Sequence, residues 1–141
     1  MPGLFLEDLS VGQSAELARV VAEADIVAFA QVTGDTNPVH LDPDYAATTS
    51  FGERVAHGML SAGYISAVLG TSLPGPGAVY LSQSLAFKRP VRIGDAVTAR
   101  ATITAIDAAK AQVTLATTCR VRGKAVVDGE AVVLVPRKPA A

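Results

Sequence analysis

From Ala78 onward the chain is written almost entirely in period two. Val97, Ala99, Ala101, Ile103 and Ala105 alternate with Thr98, Arg100, Thr102 and Thr104. A strand sends successive side chains to opposite faces, so this spelling suits a sheet with one buried and one wet face. It predicts strands over 79–88, 96–106, 112–121 and 124–135. Pro90 to Asp95 and Arg122-Gly123 supply the turns between them, and Gly129 marks a bulge.

The first half is spelled differently. An extended arm over 4–9, a turn at Val11-Gly12 and a strand over 14–21 come first. Ile26, Phe29, Ala30 and Thr33 then recur at helical spacing, predicting a helix over 25–32. Asp25 suits its positive end, and Gly34 suits the left-handed position just past its other end. Pro38 keeps Asn37 out of the helical region, so 34–40 reads as a tight irregular loop. Asp42, Pro43 and Asp44 cap and open a second short helix, and 50–56 is a loop. Over 58–70, Gly58, Ala62, Ser66 and Gly70 form a small-residue stripe. Met59, Leu60, Tyr64, Ile65, Val68 and Leu69 cover most of the rest, so this helix is expected to be buried on all sides. The stripe would let a backbone or a flat ligand come close. Pro74-Gly75-Pro76-Gly77 ends it.

Small helices, one buried helix and then long antiparallel strands make an α+β pattern, a sheet curling around a central helix. The 141 residues suit one domain spanning 1–141, with a short disordered tail after 136. A single sheet with a single helix layer leaves a face and an edge open, which predicts a homodimer.

Half the residues are hydrophobic and 18% are charged, which excludes a disordered chain. The net charge of -1 gives no field toward nucleic acid or an anionic membrane, so neither is an expected partner. The lone Cys119 reads as a small buried hydrophobe. The N-terminus lacks a basic region followed by an apolar run, and 59–69 is too short to span a bilayer. The expected location is the cytoplasm.

Two histidines, His40 and His57, sit at loop-to-helix junctions. Asp35 precedes His40 by five residues across the proline turn. A carboxylate and an imidazole on one stiff loop make an acid/base pair, with Asn37-Pro38 providing the stiffness. On residue types alone a plain reading also stands, with Asp35 a turn former and His40 a core histidine. No metal-ligand spacing is present. Gly58 follows His57 at the helix N-terminus, where a free N–H would meet a thioester carbonyl; a tight-packing glycine is the other reading. Ser66, two turns along, either orients Asp35, contacts substrate or bonds back to the carbonyl four residues earlier.

The run Phe29-Ala30-Gln31-Val32-Thr33-Gly34-Asp35-Thr36-Asn37-Pro38-Val39-His40 resembles the signature of the MaoC-like, hydratase 2 family. The likeness is to the short, single-hot-dog (R)-specific enoyl-CoA hydratases. It continues through His57-Gly58-Met59-Leu60, 80–91, Gly94-Asp95-Ala96-Val97 and 129–133, nearly the whole chain. The resemblance implies a hot-dog fold, with the sheet wrapped around the central helix and a short overhang segment carrying the active-site loop. It implies a homodimer and no metal or redox cofactor; CoA is part of the substrate. Asp35 and His40 would activate water for addition to a trans-2-enoyl-CoA, giving an (R)-3-hydroxyacyl-CoA. Gly58 would polarise the carbonyl, with Ser66, Asn37 and His57 beside it. Leu69 would limit the acyl chain.

An acyl-CoA thioester needs cations for its phosphates. Lys88, Arg89, Arg92 and Arg54 are the candidates, and a solvated charged turn is the plain alternative. Three rival activities remain: a dehydratase on CoA or carrier-protein thioesters, a hot-dog thioesterase and a non-catalytic acyl-CoA-binding subunit.

Overall fold

A computed structural model describes residues 2–140. The sheet holds six strands: β1 (Ser14–Val20), β2 (Val79–Gln83), β3 (Ala86–Phe87), β4 (Ala96–Asp107), β5 (Gln112–Val121) and β6 (Lys124–Leu134). They pair antiparallel in the order β1-β4-β5-β6-β2, and β3 also pairs with β6. The inward positions follow the alternation: Val97, Ala99, Ala101 and Ile103 are buried, as are Val113, Leu115 and Cys119. Ala105 departs from it. The register against β5 slips between Ile103 and Ala105, which turns Ala105 outward and lets Ile106 pack on the core.

Two strand expectations are corrected. The stretch 79–88 breaks at Ser84 and Leu85 into β2 and β3. Gly129 is not a bulge. It pairs in register with Thr117, and the slip lies between Cys119 and Arg120. The Ser84 carbonyl crosses Gly129 so closely that a Cβ there would stand 1.9 Å from its oxygen. The break and the glycine are therefore one feature: only a residue without a side chain admits the crossing backbone.

Between β1 and the long helix lie α1 (Glu23–Thr33), α2 (Pro38–Leu41) and α3 (Pro43–Ala47). α1 starts before the expected Asp25 because Asp25 reaches back and accepts the Ala22 N–H at 2.9 Å. Gly34 ends it at φ 80°, as expected. Asp42 caps α3, accepting the N–H groups of Asp44 and Tyr45 at 2.9 and 3.3 Å.

α4 (Gly58–Thr71) packs against β1, β4, β5 and β6, so the sheet wraps it. Ile65, Val68 and Leu69 are buried on that side, each such side chain contributing about 1.5–3 kcal/mol. The other side is open, contrary to expectation: Met59 is 52% exposed, and Gly63, Ser66 and Gly70 are exposed too. One sheet reaches only one side of a helix, and among the described residues no second layer covers the other.

The arm includes a 3-10 turn, Leu6–Asp8, and the Leu6 N–H donates to Pro136 at 2.9 Å. The expected disordered tail makes contacts at its start. The Lys138 N–H donates to Glu7 at 2.8 Å, and its ammonium meets Asp8 at 2.8 Å. That pairing holds the Asp8 carboxyl below its usual range and raises the Lys138 amine. Burial pushes the Cys119 thiol up to about 12, in keeping with an inert hydrophobe. Among the described residues no helix is long and apolar enough to cross a membrane.

Candidate active site

The segment between β1 and α4 builds the site from short polar side chains that stand in for missing backbone partners. Thr33 Oγ1 donates to the Phe29 carbonyl at 2.7 Å and accepts the Asp35 N–H at 3.1 Å. Asp35 Oδ1 accepts the Asn37 N–H at 3.3 Å, and Asn37 Oδ1 accepts the Val39 N–H at 3.1 Å. Pro38 opens α2, where a missing N–H costs nothing. His40 thus lies in a helical turn rather than in the irregular loop expected for 34–40.

His40 is tethered twice. Its Nδ1 donates to the Val55 carbonyl at 2.7 Å, which leaves Nε2 outside that bond. Its own carbonyl accepts Arg54 Nε at 2.7 Å, and Arg54 pairs with Glu23 of α1 at 2.6 Å. Val55 is fixed in turn by a β-bridge to Arg92.

His57 precedes α4 and is 3% exposed. Its Nε2 lies 2.9 Å from the Asp35 carbonyl oxygen. Its ring stacks on His40, centroids 3.8 Å apart and planes 28° apart, and tilts against Phe29 at 4.6 Å. A carboxylate oxygen of Asp35 and one ring nitrogen from each histidine lie within 4.8 Å of one another. Two hydrogen bonds of about 2.8 Å each span a gap of that size. Proximity of this kind would also interest a cation. Each ring gives one nitrogen to a backbone carbonyl, which orients it and would serve a metal ligand as well as an acid/base group.

A cavity of 460 Å³ opens beside His40, lined among others by Asn37, Val39, Gly58, Phe87 and Val91. Gly58 is the first residue of α4, so its N–H has no partner within the helix. The Phe87 ring lies over it, 2.6 Å from where a Cβ would stand. Lys88 and Arg89 line the same cavity and are exposed.

The sequence pattern of the MaoC like domain matches residues 9–125. The chain belongs to the MaoC-like family. This MaoC-like protein is 59% identical to the (R)-specific enoyl-CoA hydratase of Rhodospirillum rubrum over 95% of its own length and 93% of that enzyme's. It is 51% identical to the 3-hydroxybutyryl-CoA dehydratase of Methylorubrum extorquens, covering 96% and 86%. Its fold superposes on the unliganded R-hydratase PhaJ1 of Pseudomonas aeruginosa with TM-score 0.91 at 48% identity, covering 96% and 88%. The MaoC-like chain has the hot-dog fold.

Several expected site residues of this MaoC-like protein fall elsewhere. Leu69 does not line the cavity; it faces the sheet with Ile65 and Val68, 2% exposed. His57 is buried, does not line the cavity and backs His40. Ser66 stands on the open side of α4, bonded neither to Asp35 nor to the Ala62 carbonyl. Arg54 is committed to His40 and Glu23. Arg92 is held by Glu53 at 2.5 Å and by the Phe51 carbonyl. Arg89 donates to the Ala125 carbonyl at 2.7 Å, while the Lys88 ammonium makes no ion pair among the described residues. Sequence reasoning missed Val55, Phe29 and Phe87. The Val55 contribution is a backbone carbonyl, which no residue type announces. Phe29 stands in the quoted signature run, and its aromatic type was the available signal.

Proposed function

We propose that the protein adds water to short- and medium-chain trans-2-enoyl-CoA thioesters, giving (R)-3-hydroxyacyl-CoA. The observation that carries this is the pair of Asp35 and His40, within 4.8 Å of each other on separate backbone tethers, with Gly58 lining the cavity beside His40. The Gly58 N–H accommodates the thioester oxygen and draws electrons away from C3. Asp35 takes one proton from water as its oxygen bonds to C3. The π pair moves to C2 and takes the Nε2 proton of the His40 imidazolium. The proton on Asp35 then returns to His40 through solvent, so one water is consumed and both groups are reset. This reading requires no metal or redox cofactor.

The (R) outcome and the CoA carrier are supported by the relatives' names. Dehydration, as named for one of them, is the same equilibrium run backward. Lys88 and Arg89 offer charge to the phosphates. A cavity lined in part by Arg89, Arg92, Arg122 and Lys124 continues that basic surface, although Arg92 and Arg122 are paired with Glu53 and Asp95. The open side of α4 and the exposed Val79, Tyr80 and Leu81 of edge strand β2 support a homodimer.

The test is loss of enoyl-thioester absorbance with crotonyl-CoA, followed by chiral analysis of the product. Asp35→Asn and His40→Gln are each expected to lower kcat by about 100-fold or more with the fold intact. Normal turnover in both variants would reject these roles. Release of free thiol would indicate a thioesterase, and binding without an absorbance change a non-catalytic subunit.

A further inference from the structure

We infer that His57 is a positioning residue that fixes Asp35 and His40 relative to each other, an inference that rests on the catalytic reading above. Three contacts carry it. A carbonyl oxygen only accepts, so the 2.9 Å approach of His57 Nε2 to the Asp35 carbonyl requires a proton on Nε2. That bond pins the peptide from which the Asp35 carboxylate projects. The stacked ring closes one face of His40, while the Val55 carbonyl holds its edge, so rotation of the His40 imidazole is restrained. Phe29 supports His57 from a tilted contact of its own.

The remaining nitrogen, His57 Nδ1, is buried without a hydrogen-bond partner. An unpaired buried acceptor is unfavourable and uncommon in folded proteins. A phenyl ring would fill the same place without it. What the imidazole adds is the Nε2–H directed at Asp35, and that bond is the reason for a histidine here. His57 is 3% exposed and does not line the cavity beside His40, so its influence passes through the two groups it holds. Small misplacement of reacting groups costs large factors in rate.

Two variants separate the contacts. His57→Gln keeps an N–H near the position of Nε2; His57→Phe keeps a flat ring and loses the donor. His57→Phe is expected to lower kcat by about 10- to 100-fold with KM changed less than about threefold, and His57→Gln to recover most of that loss. Wild-type kcat in a folded His57→Phe protein, or a loss confined to KM, would overturn the inference. A second measurement needs no variant to fold. The chain has only two histidines, so the nitrogen shifts of its imidazoles in the wild-type protein report both tautomers. Protonation of Nε2 in His57 is expected, and an Nδ1–H tautomer of neutral His57 would overturn the proposal. Failure of the catalytic reading is distinct: it would appear as normal turnover in Asp35→Asn and His40→Gln.

Discussion

The His40 imidazole is held at its edge by Val55, on one face by His57 and through its own backbone by Arg54. A ring held from three directions has little freedom left when substrate arrives, which is what proton transfer within a fixed geometry requires. Arg54 tests this directly. Arg54→Ala is expected to cost about 1–2 kcal/mol of stability in urea denaturation, since a charge-assisted bond to the His40 carbonyl is lost. Its kcat should fall equally with crotonyl-CoA and with the truncated crotonyl-pantetheine. A KM increase seen only with the CoA substrate would return Arg54 to the phosphate-binding role first expected of it. Asp35 and His40 were legible as candidates because their residue types and the Asn-Pro turn allow an acid/base pair and the run around them resembles the family signature. The tethers were not, because backbone carbonyls and long-range partners 14 or 15 residues away leave no local pattern.

Among the elements, the long strands and α4 followed from periodicity, and their errors share a cause. Ser84-Leu85 and Gly129 lie 44 or more residues apart, yet the break in one strand is possible only because the other has no side chain there. Alternation within a strand reports which face a residue takes, not what crosses it. Gly129→Ala is expected to destabilise the protein by about 1–3 kcal/mol, because the atom in the way is the Ser84 backbone rather than a movable side chain. An unchanged denaturation midpoint would show that β2 and β3 can move apart. α2 was missed for a similar reason. Four residues, Pro38–Leu41, are too few to show a period, and their cap is a single asparagine side chain.

For the whole molecule, the open side of α4 and the apolar edge of β2 lie on a chain that already has a filled core. Sedimentation equilibrium is expected to give twice the mass of one chain. Met59→Glu combined with Leu81→Glu should shift it toward the monomer by placing charge on both exposed surfaces. A wild-type monomer at micromolar concentration would leave both surfaces without the partner assigned to them. The alternation from Ala78, the apolar helix before it and the Gly-Asp-Thr-Asn-Pro-Val-His run determined the fold class and singled out Asp35 and His40 as the candidate pair, because each depends on neighbours close in sequence. Only the tertiary structure decided that one side of α4 stays open, that Leu69 belongs to the core and that His57 stands behind the site. Those outcomes depend on which surfaces meet across the chain, and spacing along it does not record such meetings.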